Sequence, residues 1–165
     1  MNTMEIAALN NVLGERGENI ALLCLTEYVQ PNGVLFGPGF LGAKWPTIDY
    51  YIELYGVQSM RPYFFASAKT TTSRLTKKSI QISVKKEDVQ QLLKIPGPTY
   101  ILAIHEPSKR VFAKSVHALT KATAIKTVRL ANELTNKPEA LFALHQEVVQ
   151  FWGNTVHKPN SSHFS

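Results

Sequence analysis

Two runs of β-branched and aromatic residues, Thr47 to Tyr55 and Arg61 to Thr70, stand on either side of a short break at Gly56 to Met60. That pattern predicts an antiparallel hairpin. Side-chain alternation then assigns faces: Asp49, Tyr51 and Glu53 point one way and Tyr50, Ile52 and Leu54 the other, while Ser67 and Lys69 share a face of the second strand. With the turn centred near Val57 and Gln58, paired positions sum to roughly 116, so Asp49 lies across from the segment Ser67 to Lys69. An acid and a lysine therefore converge at one end of the hairpin. Read from the residues alone, they form a cross-strand ion pair of small energetic value.

An Asp on one strand, followed on the next by an acid or amide, one spacer and a Lys, is the signature of the PD-(D/E)-x-K nucleases, the restriction-endonuclease-like superfamily. Ile48-Asp49-Tyr50 and Phe65-Ala66-Ser67-Ala68-Lys69-Thr70-Thr71 resemble that pair of strands. More narrowly, Gly14-Glu15-Arg16-Gly17-Glu18-Asn19-Ile20-Ala21, with the Asp strand and a strand ending Lys-Thr-Thr, is similar to the bacterial domain of unknown function 4365 of that superfamily. The resemblance runs from about Gly14 to Leu130. One position departs from it: Ser67 stands where relatives usually carry Glu or Gln, and a hydroxyl is a weaker ligand for a hard cation than a carboxylate. Glu53 is no substitute, since it lies roughly 13 Å along the strand from Asp49. Glu18 is the better candidate, because Glu18, Leu22, Leu25 and Val29 recur at helical spacing and so place this carboxylate on an apolar stripe facing the sheet.

The resemblance implies a restriction-endonuclease-like core and metal-dependent hydrolysis of DNA phosphodiester bonds. Asp49, Glu18 and the backbone carbonyl of Ala68 would bind Mg²⁺ or Mn²⁺, Lys69 would orient the nucleophile or stabilise developing charge, and Ser67 would offer its hydroxyl to a metal-bound water. The alternative implied by Ser67 is a nuclease fold that has lost a ligand and binds nucleic acid or a protein partner.

A length of 165 residues suits one domain with a substantial core, expected over 1–153 with a flexible tail at 154–165. No apolar run reaches the roughly 18 residues of a membrane span, the first residues lack the basic region of a signal peptide, and the single Cys24 has no disulfide partner within the chain. A cytoplasmic protein without membrane contact is expected. The formal charge of +6 favours a polyanion such as DNA. Arg74, Lys77 and Lys78, with Lys85 and Lys86, cluster after the Lys69 strand and could hold phosphates, as could Lys44 just before the Asp strand. The same lysines also fit a solvated loop that protects a strand edge. Whether the chain forms a homodimer is open.

Gly37-Pro38-Gly39-Phe40-Leu41-Gly42 formally matches a dinucleotide fingerprint, but Pro38 and the absence of a following helix predict a loop instead. Gly14 is expected to break a short helix or extension at Thr3 to Val12 from an amphipathic helix at about Glu15 to Tyr28. A strand over Ile80 to Val84, a helix from Lys86 to Ile95, a buried strand at Thr99 to Ile104, a strand from Arg110 to Val116 and a helix opened by Pro138 follow. Ala124 to Leu130 is undecided between strand and helix. The fold class is α/β (α+β), a mixed β-sheet flanked by helices in the order α-β-β-β-α-β. The five histidines have no metal-ligand spacing, and His105 is expected to be structural.

Overall fold

The computed structural model describes residues 2–42 and 45–154. Lys44 and all but the first residue of the expected tail at 154–165 lie outside them.

Helix α1, Thr3–Leu25, begins at a capping box: the Asn2 side chain accepts from the Glu5 N–H at 2.9 Å, and the Glu5 carboxylate accepts from the Asn2 N–H at 2.7 Å. The expected break at Gly14 does not occur. An interior glycine costs a helix about 1 kcal/mol, too little to end one that is capped at its start and packed along its second half. Nor does the helix reach Tyr28. It ends at Leu25, and Val29 lies in a two-residue strand, β1 (Tyr28–Val29), paired with β2 (Gly33–Val34).

The five-stranded sheet is built from β3 (Phe36–Phe40), β4 (Tyr50–Leu54), β5 (Tyr63–Thr71), β7 (Thr99–His105) and β8 (Arg110–Ser115), in that spatial order. The first three form an antiparallel meander, β5 and β7 are parallel, and β8 returns antiparallel. The hairpin register matches the one expected, with Tyr50 opposite Ala66 and Ile52 opposite Phe64. All seven residues of β7 are buried, as a central strand covered on both faces requires. The glycine and proline segment expected to be a loop is the edge strand β3. There Pro38 opposite Ile52 is tolerated because one side of the strand needs no donor.

Between β5 and β7 the chain makes β6 (Ser79–Val84) and α2 (Lys86–Leu93), then stops at Pro96. The ambiguous run is a strand, β9 (Ile125–Arg129), which pairs with β6 in a separate two-stranded sheet. Helix α3, Pro138–Gly153, closes the described chain. One face of the main sheet is covered by α1 and α3 through Ala21, Leu25, Phe64, Tyr100, Leu141 and Val148. The other is covered by α2 and the β6–β9 ribbon through Val89, Leu92, Ile101 and Ile80. The architecture is therefore a mixed sheet between helical layers. Among the described residues no helix is long and apolar enough to cross a membrane.

Candidate active site at the end of the hairpin

Asp49 sits just before β4 and is held on three sides. Its N–H donates to the Ala66 carbonyl at 3.0 Å, its carbonyl accepts from the Leu41 N–H at 2.9 Å, and its carboxylate accepts from the Ala68 N–H at 2.6 Å. The last bond uses a backbone group beyond the end of the ladder, since β4 pairs with β5 only as far as Tyr50 opposite Ala66. Within a strand, a residue's N–H and C=O point to the same side, so the Ala68 carbonyl also faces the Asp49 side. Two residues earlier the backbone turns sharply. Thr47 has φ 69°, a left-handed conformation that costs a β-branched residue about 1–3 kcal/mol.

Helix α1 brings the second carboxylate. Its buried positions are Gly17, Ala21, Cys24 and Leu25, so the stripe runs one residue away from the expected one, with Glu18 on its flank and Leu22 exposed at 36%. The close approach depends on Gly17, where a Cβ would overlap the Thr70 side chain of β5. Beneath Glu18, the buried Tyr50 hydroxyl donates to the Glu18 carbonyl at 2.7 Å, tying α1 to β4. Burial raises the Glu18 pKa above the ordinary carboxylate range, and the charges of Asp49 and Glu15 raise it further.

Lys69, half-buried, lines a cleft of about 350 Å³ with Asn10, Leu13, Gly14, Glu18, Ala68 and the threonines 70–72. Among the described residues Asp49 and Lys69 form no ion pair within 4.0 Å, so the pairing expected from the residues alone is absent. Ser67 is 1% exposed and sits inside the sheet opposite Ile101. Asp49, Glu18, Ala68 and Lys69 are thus brought together, while Ser67 is held apart from solvent. Arg74, Lys77 and Lys78 are exposed on the connection that leaves β5 past the cleft.

Among the described residues there is no group of three or more His, Cys, Asp or Glu side chains placed to hold a metal ion. Two carboxylates and a carbonyl nevertheless fit Mg²⁺, which commonly takes one or two carboxylates and keeps several waters. The described histidines serve the fold: His105 Nδ1 bonds Ser108 Oγ at 2.6 Å, and His145 Nε2 bonds the Tyr55 carbonyl at 2.8 Å. Sequence patterns assign no part in the site to Asn10, Leu13 or Thr47. The Asn2 and Glu5 capping pair is the available signal that α1 begins early enough to roof the cleft.

Comparison with known protein families and with curated proteins finds no match to this chain.

Proposed function

We propose that this chain is a divalent-metal-dependent hydrolase of DNA phosphodiester bonds with a restriction-endonuclease-like fold. The observation that carries the reading is the meeting of Asp49 with the Ala68 backbone at the end of the β4–β5 pair, beside the cleft that Glu18 and Lys69 line. The succession of α1, the meander β3–β5, α2 and the parallel strand β7 supports it, since α-β-β-β-α-β is the order the resemblance implies.

In this reading Asp49, Glu18 and the Ala68 carbonyl hold Mg²⁺ or Mn²⁺. When bound, such an ion acidifies a water and neutralises charge on the scissile phosphate. The Ala68 N–H fixes one Asp49 oxygen and leaves the other for the ion. Lys69, without an ion-pair partner among the described residues, is available to orient the nucleophile or to meet charge developing on the phosphate. Arg74, Lys77 and Lys78 attract the substrate backbone, which makes binding salt-sensitive. The compartment we assign is the cytoplasm.

The test is cleavage of supercoiled plasmid and single-stranded DNA with Mg²⁺, Mn²⁺ or EDTA. We expect metal-dependent cutting that is lost in Asp49→Ala and Lys69→Ala. The second reading, a module that binds nucleic acid or a protein partner without hydrolysis, is favoured by Ser67, buried where a ligand would stand. Salt-sensitive DNA binding without cutting by the wild type would select it.

A further inference from the structure

The face of the meander opposite α1 carries an aromatic group that the site does not use. Tyr51, Tyr63 and Phe65 share it by alternation, and their rings lie 5.2–5.8 Å apart. Trp45 folds back onto Phe65, stacked at 6.5 Å with an interplanar angle of 21°, and is 52% exposed. At the far end Tyr55 is 50% exposed and lies over Gly37, where a Cβ would overlap its ring. The face is open at its β3–β4 end because the cross-strand partners of Tyr51 and Glu53 on the edge strand are Gly39 and Gly37, which bring no side chains; at its β5 end Tyr63 packs on Trp152 at 4.6 Å and Phe65 packs on the α2 side of the core. A groove of about 530 Å³ runs along the edge strand, from Tyr51, Glu53 and Tyr55 across Gly37 and Gly39 to Leu22 at the end of α1.

We propose that this row from Trp45 to Tyr55 is a stacking ledge for the unpaired bases of single-stranded nucleic acid. Trp45 and Tyr55, half-exposed at the two ends, with the partly exposed Tyr51 between them, give π-faces that any base can use, whereas bases in a duplex already stack on one another. The ledge leads directly to the candidate site, because Asp49 is two residues before Tyr51 on the same face, and Trp45 reaches Phe65, four residues before Lys69. Bases seated on the ledge therefore deliver their backbone to Asp49 and Lys69. Two charges lie along the row: the exposed Arg61, two residues before Tyr63 and on its face by alternation, suits a phosphate, while Glu53 accepts from the Tyr51 hydroxyl at 3.2 Å, fixes the ring and leaves acceptor capacity for a base amino group. The proposal deepens the hydrolase reading and rests on it for the position of the scissile phosphate.

The experiment is fluorescence anisotropy in EDTA, so that nothing is cut, with labelled oligothymidylate, oligouridylate and a thymidylate–adenylate duplex. Trp45→Ala and Tyr51→Leu are each expected to weaken single-strand binding about tenfold, the scale of one lost base–aromatic stack, and to leave duplex binding within about twofold. Trp45→Phe keeps a ring and is expected to bind like the wild type. Unchanged single-strand affinity, or an equal loss on single strand and duplex, overturns the ledge. Thermal melts check folding. If Tyr51→Leu fails to fold, the half-exposed Trp45 position decides alone. The plasmid assay separates the two readings. Ring-dependent binding by a protein that cuts nothing overturns the hydrolase and keeps the ledge, and metal-dependent cutting with ring-independent binding does the reverse.

Discussion

Alanine at Gly14 and alanine at Gly17 make the same chemical change three residues apart on one helix, and the structure requires them to move stability in opposite directions. Around Gly14 a Cβ meets no atom within 4 Å. Alanine there gains the helix preference over glycine, about 1 kcal/mol. At Gly17 the same gain applies, but the new Cβ overlaps the β-branched Thr70 side chain of β5, which sits on a strand paired with its neighbours and cannot swing away. Overpacking of this kind costs about 1–3 kcal/mol, so Gly17→Ala ends about 0–2 kcal/mol less stable than wild type. The difference between the variants isolates the overlap at about 1–3 kcal/mol, which for a chain of this size is a separation of roughly 2–12 °C in melting temperature. Urea unfolding with a constant m-value reads it directly. The relief available to Gly17→Ala is a small outward shift of α1, which carries Glu18 away from Asp49, so under the proposed hydrolase reading this variant is also expected to bind Mn²⁺ more weakly than the wild type. If Gly17→Ala proves as stabilising as Gly14→Ala, the close approach of α1 to β5 is wrong, and with it the placement of Glu18.

The Glu18 carboxyl, held above its ordinary range by burial and by Asp49, binds its proton more readily in the folded state than in the unfolded one. The site therefore loses stability as pH rises from the ordinary carboxylate range through the folded value. Glu18→Gln is expected to raise stability at neutral pH in EDTA by up to about 1 kcal/mol, the scale of a half-exposed charge pair. A lower melting temperature for the variant at neutral pH contradicts this. Glu133, 9% exposed, takes two hydrogen bonds from Arg110 at 2.6 and 2.9 Å and a longer contact from Lys137, and the Arg110 bonds hold its pKa below the ordinary value. That stability is present above the ordinary carboxylate range and lost as pH falls through the folded value. Glu133→Gln should therefore cost about 1.5–3 kcal/mol at neutral pH and nothing in strong acid, measured by urea unfolding across pH. Burial pushes the Cys24 thiol up to about 12. Cys24 lines a groove of about 640 Å³ but is only 7% exposed, so a thiol-specific disulfide reagent at pH 8 should label the native protein far more slowly than the urea-unfolded chain, and equal rates would contradict the burial.

The features legible in the amino-acid order alone rest on local rules. The hairpin register follows from alternation and a turn, both of which act between neighbours in sequence. The buried strand announces itself as an almost continuous apolar run at Thr99 to Ile104, one residue short of the strand's end at His105, and α3 by Pro138 in its first turn. Asp49 and Lys69 are placed near one another for the same reason.

The tertiary structure decides whatever local preference leaves nearly balanced. Gly14 argues against a helix by only about 1 kcal/mol, and the cap and packing of α1 outweigh it. Gly37-Pro38-Gly39 has poor strand propensity, yet pairing with β4 at an edge makes it β3. Ile125–Arg129 cannot be typed from its period, and becomes a strand only because β6, far back in the chain, lies open to pair with it. The position of Glu18 beside Asp49 belongs to the same class. It depends on how closely two layers approach, which Gly17 and Thr70 settle across the helix–sheet interface. No periodicity within either segment records that distance.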